Sequence, residues 1–219
     1  MPTGTDPTPL VLYGGGGHGK TLIDLVRAQG HHRAVGIVDR GLEPGQLVRG
    51  VPVRGDDGVL ATLREEGVAQ AVNGIGGITR PADRTEAFER LAAAGFAFPA
   101  LVHPSAVVEP DVVVPVGAQV LALAYVGTDV VLGFGVIVNT GAIVSHDCVL
   151  ADQVNLSPGA LLAGGVRVGT EARVGMGATV NLGLRVGAGA RIGNGATVKA
   201  DVPDGQVVHA GSVWPPRQR

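Results

Sequence analysis

In Val144-Ser145-His146-Asp147-Cys148 an imidazole is followed at once by a carboxylate. A carboxylate beside a histidine orients the ring and raises its basicity, as a general base acting at neutral pH requires. Without that neighbour a lone surface histidine is incidental. Eighteen residues on, Ala163-Gly164-Gly165 offers a backbone N–H unobstructed by a side chain. Such a donor stabilises the oxyanion of a tetrahedral intermediate. Cys148 is the competing nucleophile, but it occupies a slot filled elsewhere by small apolar residues, and a thiol buried there is inert.

A second group lies near the start of the chain, where Gly14, Gly16 and Gly19 satisfy G-x-G-x-x-G and Asp39 follows twenty residues past Gly19. Read mechanically, this is a dinucleotide fingerprint. Only about a hundred residues precede the next pattern, half of a full dinucleotide fold, with no room for a dehydrogenase substrate domain. A glycine-lined turn entering a helix attracts any phosphate, so a nucleotide-sugar diphosphate fits as well as NAD. Gly17 and His18 would face whatever occupies the turn. Asp39 reads either as a contact to base or ribose or as a strand-terminal turn residue. His31 and His32 read as loop residues, His103 as the join between the halves and His209 as incidental.

The elements that must hold these residues differ in kind. From Val108 to Val198 an aliphatic residue recurs every six positions, sixteen times without a miss. Four residues after each comes a small or apolar one, such as Ala118, Ala142 or Cys148. A six-residue period suits a two- or three-residue strand and a corner, and three such sides close a triangular coil of about 18 residues. The reading is a left-handed parallel β-helix. Its face Tyr125, Ile143, Leu161, Thr179, Thr197 starts apolar, which predicts self-association, and a flat prism favours a threefold ring. Arg167 and Arg185 end one other face and Arg173 and Arg191 the next. They are either a solvated surface or contacts to coenzyme phosphates.

Before the repeat, Leu10–Tyr13 reads as a buried strand, 14–20 as a turn and Thr21–Gln29 as a helix. Ala34–Asp39, Val51–Arg54, Asp57–Glu66, Ala69–Ile75 and Arg80–Ala94 continue the alternation that implies a small parallel sheet. The expected organisation is a flexible 1–9, a Rossmann-like α/β half domain over 10–102, the β-helix over 103–203 and a tail over 204–219. The near-neutral charge of -2 gives no reason to expect nucleic acid. No apolar run reaches the roughly 18 residues of a membrane span, and Met1 to Pro9 lacks a signal-peptide apolar core. A single cysteine makes a cytoplasmic home the default.

Four segments in order, Tyr13 to Lys20, Gly36-Ile37-Val38-Asp39, His103-Pro104-Ser105-Ala106 and Asn139 to Asp147, resemble the bacterial sugar O-/N-acyltransferases of the sialic acid O-acetyltransferase family. That group includes the N-acetyltransferases of nucleotide-linked 4-amino-sugars. The resemblance runs from about Leu10 to Val208. It implies a homotrimer with acetyl-CoA between neighbouring β-helices and a nucleotide-sugar in the N-terminal domain, lined by the glycine turn and Asp39. It implies that His146 takes the proton from the acceptor, that Asp147 supports it, and that Asn139 and Gly164 line the acetyl site. The acetyl group passes directly to the acceptor, with no metal. Asn155 stands where some relatives carry a second histidine, Arg40 where many have a second acidic residue, and Ala210-Gly211-Ser212-Val213 where the family tail often reads G-x-P-A.

The leading expectation is therefore N-acetylation of a nucleotide-linked amino-sugar in surface-polysaccharide or glycan synthesis. The alternative is O-acetylation of a sialic acid or related hydroxyl. A β-helix zinc enzyme would need about three histidine ligands, and the repeat offers one. A purely structural β-helix would leave the His146-Asp147 pair and the glycine turn unexplained.

Overall fold

The computed structural model describes residues 6–76 and 80–216. The first five residues of the expected flexible start and the last three of the tail lie outside the described residues. The chain divides into two compact units at Pro99 and Ala100.

In the first unit, strand β1 (Thr8–Tyr13) enters helix α1 (Gly17–Gln29) and returns as β2 (His32–Val38). A short β3 (Leu47–Val48) and β4 (Val51–Gly55) follow, then α2 (Leu60–Glu65), β5 (Gln70–Asn73) and α3 (Pro81–Ala93). The sheet order is β3-β4-β2-β1-β5. All its pairings are parallel except β3 with β4. That hairpin was not anticipated, although Arg49-Gly50 between two valines is its signal. Both residues take positive φ, at 48° and 75°, as a two-residue primed turn requires. The sides of β1 alternate, as a strand must. Val11 and Tyr13 join a core with Leu60, Leu63, Ala87 and Leu91. Leu10 and Leu12 are equally buried.

Helix α1 starts four residues earlier than expected, so Gly17, His18, Gly19 and Lys20 form its first turn rather than a loop. The cause is crowding at the Gly14 carbonyl. A Cβ on Gly19 would land on the Gly14 oxygen, and so would one on Gly74. The helix can begin against β1 because residue 19 has no side chain.

The second unit is the coiled ladder. Two faces carry seven rungs each, with strands starting at Leu101 and Val107. The third carries four, over Val131–Leu132, Val149–Leu150, Arg167–Val168 and Arg185–Val186. Rungs are parallel and 18 residues apart, as in Val126, Val144 and Leu162. The aliphatic and small-residue columns both face the interior, where Val138, Ala142, Val144 and Cys148 are fully buried. Burying each valine or leucine contributes about 1.5–3 kcal/mol.

The ladder also runs past the expected end at 203. Val207–Val208 and Val213–Trp214 are two further rungs. The last coil is two residues short, so Val186 pairs with Val202, Ile192 with Val208 and Val198 with Trp214. Val202, expected in the small-residue slot, takes the aliphatic one. The two-residue shortening breaks the six-residue period, so the expected tail over 204–219 is largely the final turn of the helix.

Gly19→Ala is expected to destabilise the first unit by about 1–3 kcal/mol, the usual cost of forcing a methyl into a packed site. Thermal unfolding of the variant, compared with Gly16→Ala, checks this, because a Cβ on Gly16 meets nothing within 4 Å.

Candidate functional site

The corners of the ladder are built from one repeated conformation. Every sixth residue from Gly117 to Gly195 has positive φ, including Asp129 (58°), Asp147 (59°), Gly165 (69°) and Gly183 (69°) along one edge. Left-handed backbone suits glycine and, next best, Asp or Asn. At 147 the corner residue is an aspartate, and its carboxylate is thereby placed beside the ring that precedes it. Asp147 Oδ2 lies 2.6 Å from His146 Nδ1. Both side chains are exposed, at 63% and 62%, so the pair faces solvent along the edge.

One coil along, the ring lies directly over Gly164. A Cβ there would come within 2.6 Å of His146 Nε2 and 2.5 Å of Cε1. The flanking amides are committed, Ala163 N–H to Val180 O and Gly165 N–H to His146 O. Among the described residues the Gly164 N–H has no recorded partner. An ionised carboxylate only accepts, so the bond to Asp147 puts a proton on Nδ1 and leaves Nε2 as an acceptor.

The other β-helix residues singled out in the sequence lie elsewhere on the same prism. Asn139 is at a different corner, its Oδ1 accepting from Thr140 N–H at 2.8 Å. Asn155, Arg173 and Arg191 form one column of neighbouring rungs on the face that starts at Leu101. Asn155 is buried. Burial, and then the Arg191 charge beside it, lowers the Arg173 guanidinium from its ordinary value. One copy of the chain therefore joins His146, Asp147 and Gly164 and leaves these four apart from them. Cys148 is fully buried, and its Sγ donates to Ala163 O at 3.2 Å. Burial pushes its thiol up, so it stays neutral. Among the described residues no group of three or more His, Cys, Asp or Glu is placed to hold a metal.

The glycine turn of the first unit is tied to Asp39 through the backbone. Asp39 Oδ2 accepts from Gly15 N–H at 2.7 Å and Oδ1 from Gly41 N–H at 2.8 Å. Both carboxylate oxygens hold the chain in shape, which is the turn-residue reading of Asp39. Gly16 and Gly17 are exposed at the start of α1 with open space above them. Their position at a helix N-terminus suits an anion. His18 is half-buried in that first turn, its Cβ and Cγ near Gly76.

Gly14, Asp39 and Arg40 line a pocket of about 310 Å³ together with Tyr13 and Arg90. Tyr13 and Arg90 were missed in the sequence, as was Asp57 behind them. Tyr13 Oη donates to Asp57 Oδ1 at 2.5 Å, and Arg90 Nη1 donates to Asp57 Oδ2 at 2.8 Å. Arg40 Nη2 pairs with the same Oδ2. Nearby, Arg84 is buried, its Nη1 donating to Ile75 O at 3.0 Å and its guanidinium 5.1 Å from the Phe88 ring centre. Burial pulls its pKa down to about 9, still cationic at neutral pH.

Against known proteins, the model of the PglD N-terminal domain matches residues 9–91. A histidine variant of perosamine N-acetyltransferase from Caulobacter crescentus, solved with CoA and GDP-perosamine, is 39% identical. It covers 93% of this chain and 94% of its own, with a TM-score of 0.86. The acetyltransferase domain of PglB from Neisseria gonorrhoeae, solved with acetyl coenzyme A, is 37% identical. It covers 94% and 98%, also at 0.86. WeeI from Acinetobacter baumannii is 25% identical, covering 95% and 98% at 0.82. The search of curated proteins returned no match.

If Cys148 is the inert filler its burial implies, it will not react with a thiol reagent such as DTNB in the native state. One equivalent should appear on denaturation, and Cys148→Ala should keep most of the activity. Labelling of the folded protein would reopen its role as a nucleophile.

Proposed function

The chain belongs to the PglD-like sugar acetyltransferases of the hexapeptide-repeat superfamily, and on that footing we propose that it carries an acetyl group from acetyl-CoA to the amine of a nucleotide-linked amino-sugar, at its 4-position. The observation that carries the residue assignment is the stack of His146, held by Asp147, over the bare backbone of Gly164.

The chemistry follows from that stack. An amine attacking a thioester carbonyl must lose a proton as the new C–N bond forms. His146 Nε2 is the acceptor for it, and Asp147 stabilises the imidazolium that results. The carbonyl oxygen becomes an oxyanion, and the Gly164 N–H is the donor we assign to it. Collapse breaks the C–S bond, and the proton held on His146 passes to the departing CoA thiolate. No acyl-enzyme forms, in keeping with a Cys148 sealed in the core. The glycine turn at Gly16 and Gly17, with Gly14, Gly19, His18, Asp39 and Arg40 shaping its surroundings, is our binding site for the nucleotide diphosphate.

Three further assignments belong to this reading. The first is a homotrimer. The rung column beside the His146 edge keeps apolar surface in water, with Val107 55% and Ile143 38% exposed and Tyr125 and Leu161 half-buried. A threefold ring sets unlike faces against each other. A neighbour's Asn139, Asn155, Arg173 and Arg191 would then supply the second wall of the acetyl-CoA groove. The second is a cytoplasmic home, supported by an acetyl-CoA donor and a lone reduced thiol. Among the described residues no helix is long and apolar enough to cross a membrane. The third is O-acetylation as an outcome to be tested against N-acetylation.

Thiol release from acetyl-CoA, measured with UDP-, GDP- and dTDP-linked 4-amino-sugars and with sialic acid, tests the reaction. Release with one amino-sugar is expected, falling about 10²–10⁴-fold in His146→Ala. Gly164→Ala should lower kcat at least about tenfold while leaving Tm nearly unchanged, because the added methyl displaces only an exposed side chain. Release with sialic acid alone would make the chain an O-acetyltransferase, and full turnover in His146→Ala would remove the base. Sedimentation equilibrium is expected to give three times the chain mass, and Ile143→Asp to shift it toward monomer. A monomeric wild type would leave the groove without its second wall.

A further inference from the structure

Within the pocket lined by Gly14, Asp39 and Arg40, three side chains share one partner that does not itself line it. Tyr13 comes from the end of β1, Arg40 from just past β2 and Arg90 from α3. Asp57, in the short turn before α2, accepts from all three. We propose that Asp57 is a positioning residue for nucleotide recognition, holding the Arg40 and Arg90 guanidiniums together and fixing the Tyr13 hydroxyl as an acceptor. The proposal rests on the reading of this pocket as the nucleotide-sugar site.

The geometry supports each part. Two guanidiniums repel one another unless an anion stands between them, and Asp57 Oδ2 serves both. A guanidinium carries five N–H donors. Each arginine spends one on Asp57, and Arg90 spends another on Glu86 at 3.2 Å. The remaining donors are free to serve a ligand, and Arg40 keeps 60% of its side chain exposed and Arg90 37%. Donors in a fixed planar fork match phosphate oxygens. Asp57 is less exposed, at 29%, as a residue behind the wall would be. Of the three carboxylates that line the pocket, Asp39 already serves two backbone N–H groups, Asp83 pairs with Arg80 and Glu86 meets Arg90 alone, so Asp57 is the one that joins the two arginines.

Tyr13 completes the arrangement. Burial, and then the hydrogen bond to Asp57, pushes its phenol well above the ordinary value. It therefore stays protonated, its one hydrogen is committed to Asp57, and its oxygen keeps only acceptor capacity. That oxygen can accept from a ligand N–H or O–H but cannot donate. The pocket thus offers two cations for the diphosphate and one acceptor for a donor group on base, ribose or sugar.

Calorimetric titration of the full chain with UDP, GDP and dTDP, and with uridine, guanosine and thymidine, tests the proposal. Asp57→Asn keeps the shape and removes the charge. Its affinity for the preferred diphosphate is expected to fall about 10–100-fold, as loss of charge-assisted bonds implies. Affinity for the matching nucleoside should change less than about threefold, so the ratio of the two collapses. In an Arg40→Gln, Arg90→Gln background the same Asp57→Asn change should cost less than about twofold, because its effect runs through those arginines. A merely structural role would persist in that background and would overturn the proposal. So would unchanged diphosphate affinity in Asp57→Asn. Should Asp57→Asn fail to fold, Arg40→Gln and Arg90→Gln carry the test singly. Each is expected to narrow the diphosphate-to-nucleoside ratio, and unchanged ratios overturn the proposal. A wild type that binds none of the six probes would sink the nucleotide-sugar reading itself, whereas wild-type binding retained in Asp57→Asn sinks only this inference.

Discussion

A β-helix needs its chain to turn through a sharp corner every six residues, and the turn requires a left-handed backbone. From Gly117 to Gly195 each such corner takes positive φ, whether the residue is Gly141, Leu123, Gln153 or Glu171. Glycine takes this conformation freely, whereas an ordinary side chain costs roughly 1–2 kcal/mol there. The ladder tolerates the non-glycine corners because rung-to-rung hydrogen bonds and a continuous aliphatic core hold each coil on both sides. Everything else in the second unit follows from that constraint, including which residues meet at an edge. Asp147 is one of the corners, and its carboxylate sits beside the His146 ring. The 18-residue register then brings Gly164 under the imidazole.

The first unit solves a different problem with the same economy of side chains. A strand must pass at once into a helix packed against it, and the Gly14 carbonyl is the tight point. Gly19 and Gly74 crowd it from two elements, and neither can carry a Cβ. Asp39 fastens the turn to the end of β2 through Gly15 N–H. The motif thus spends most of its glycines on packing, and only Gly16 and Gly17 stand open.

Charge is distributed to match. The chain is nearly neutral overall, and its cations act in place rather than as a field. Arg40 and Arg90 converge on Asp57, Arg54 pairs with Glu66, and Arg185 with Asp204. Arg173 and Arg191 stack on adjacent rungs, where the Arg191 charge lowers the Arg173 guanidinium and Glu171 acts against it.

Periodicity was enough to make the second half legible. A six-residue repeat has one compact solution, so fold, interior columns and the burial of Cys148 follow from spacing alone. The His146-Asp147 pair was visible for the same reason, since a regular repeat exposes whatever departs from it. The expected end at 203 was wrong because two missing residues in one coil hide the last rungs from a period count, while hydrogen bonding closes the shorter coil regardless. The start of α1 was misplaced because glycine propensity argues for a loop, and the crowding at Gly14 that demands glycine is a contact between elements. Asp57 was invisible for a stronger reason. Tyr13, Arg40, Asp57 and Arg90 are scattered over the first unit with no shared motif, and only the sheet order brings the four together. Local spacing therefore determined the repeat and the residues within one coil or one turn, whereas tertiary structure decided every site assembled from separate elements, because a sequence carries no record of which distant side chains share a charge.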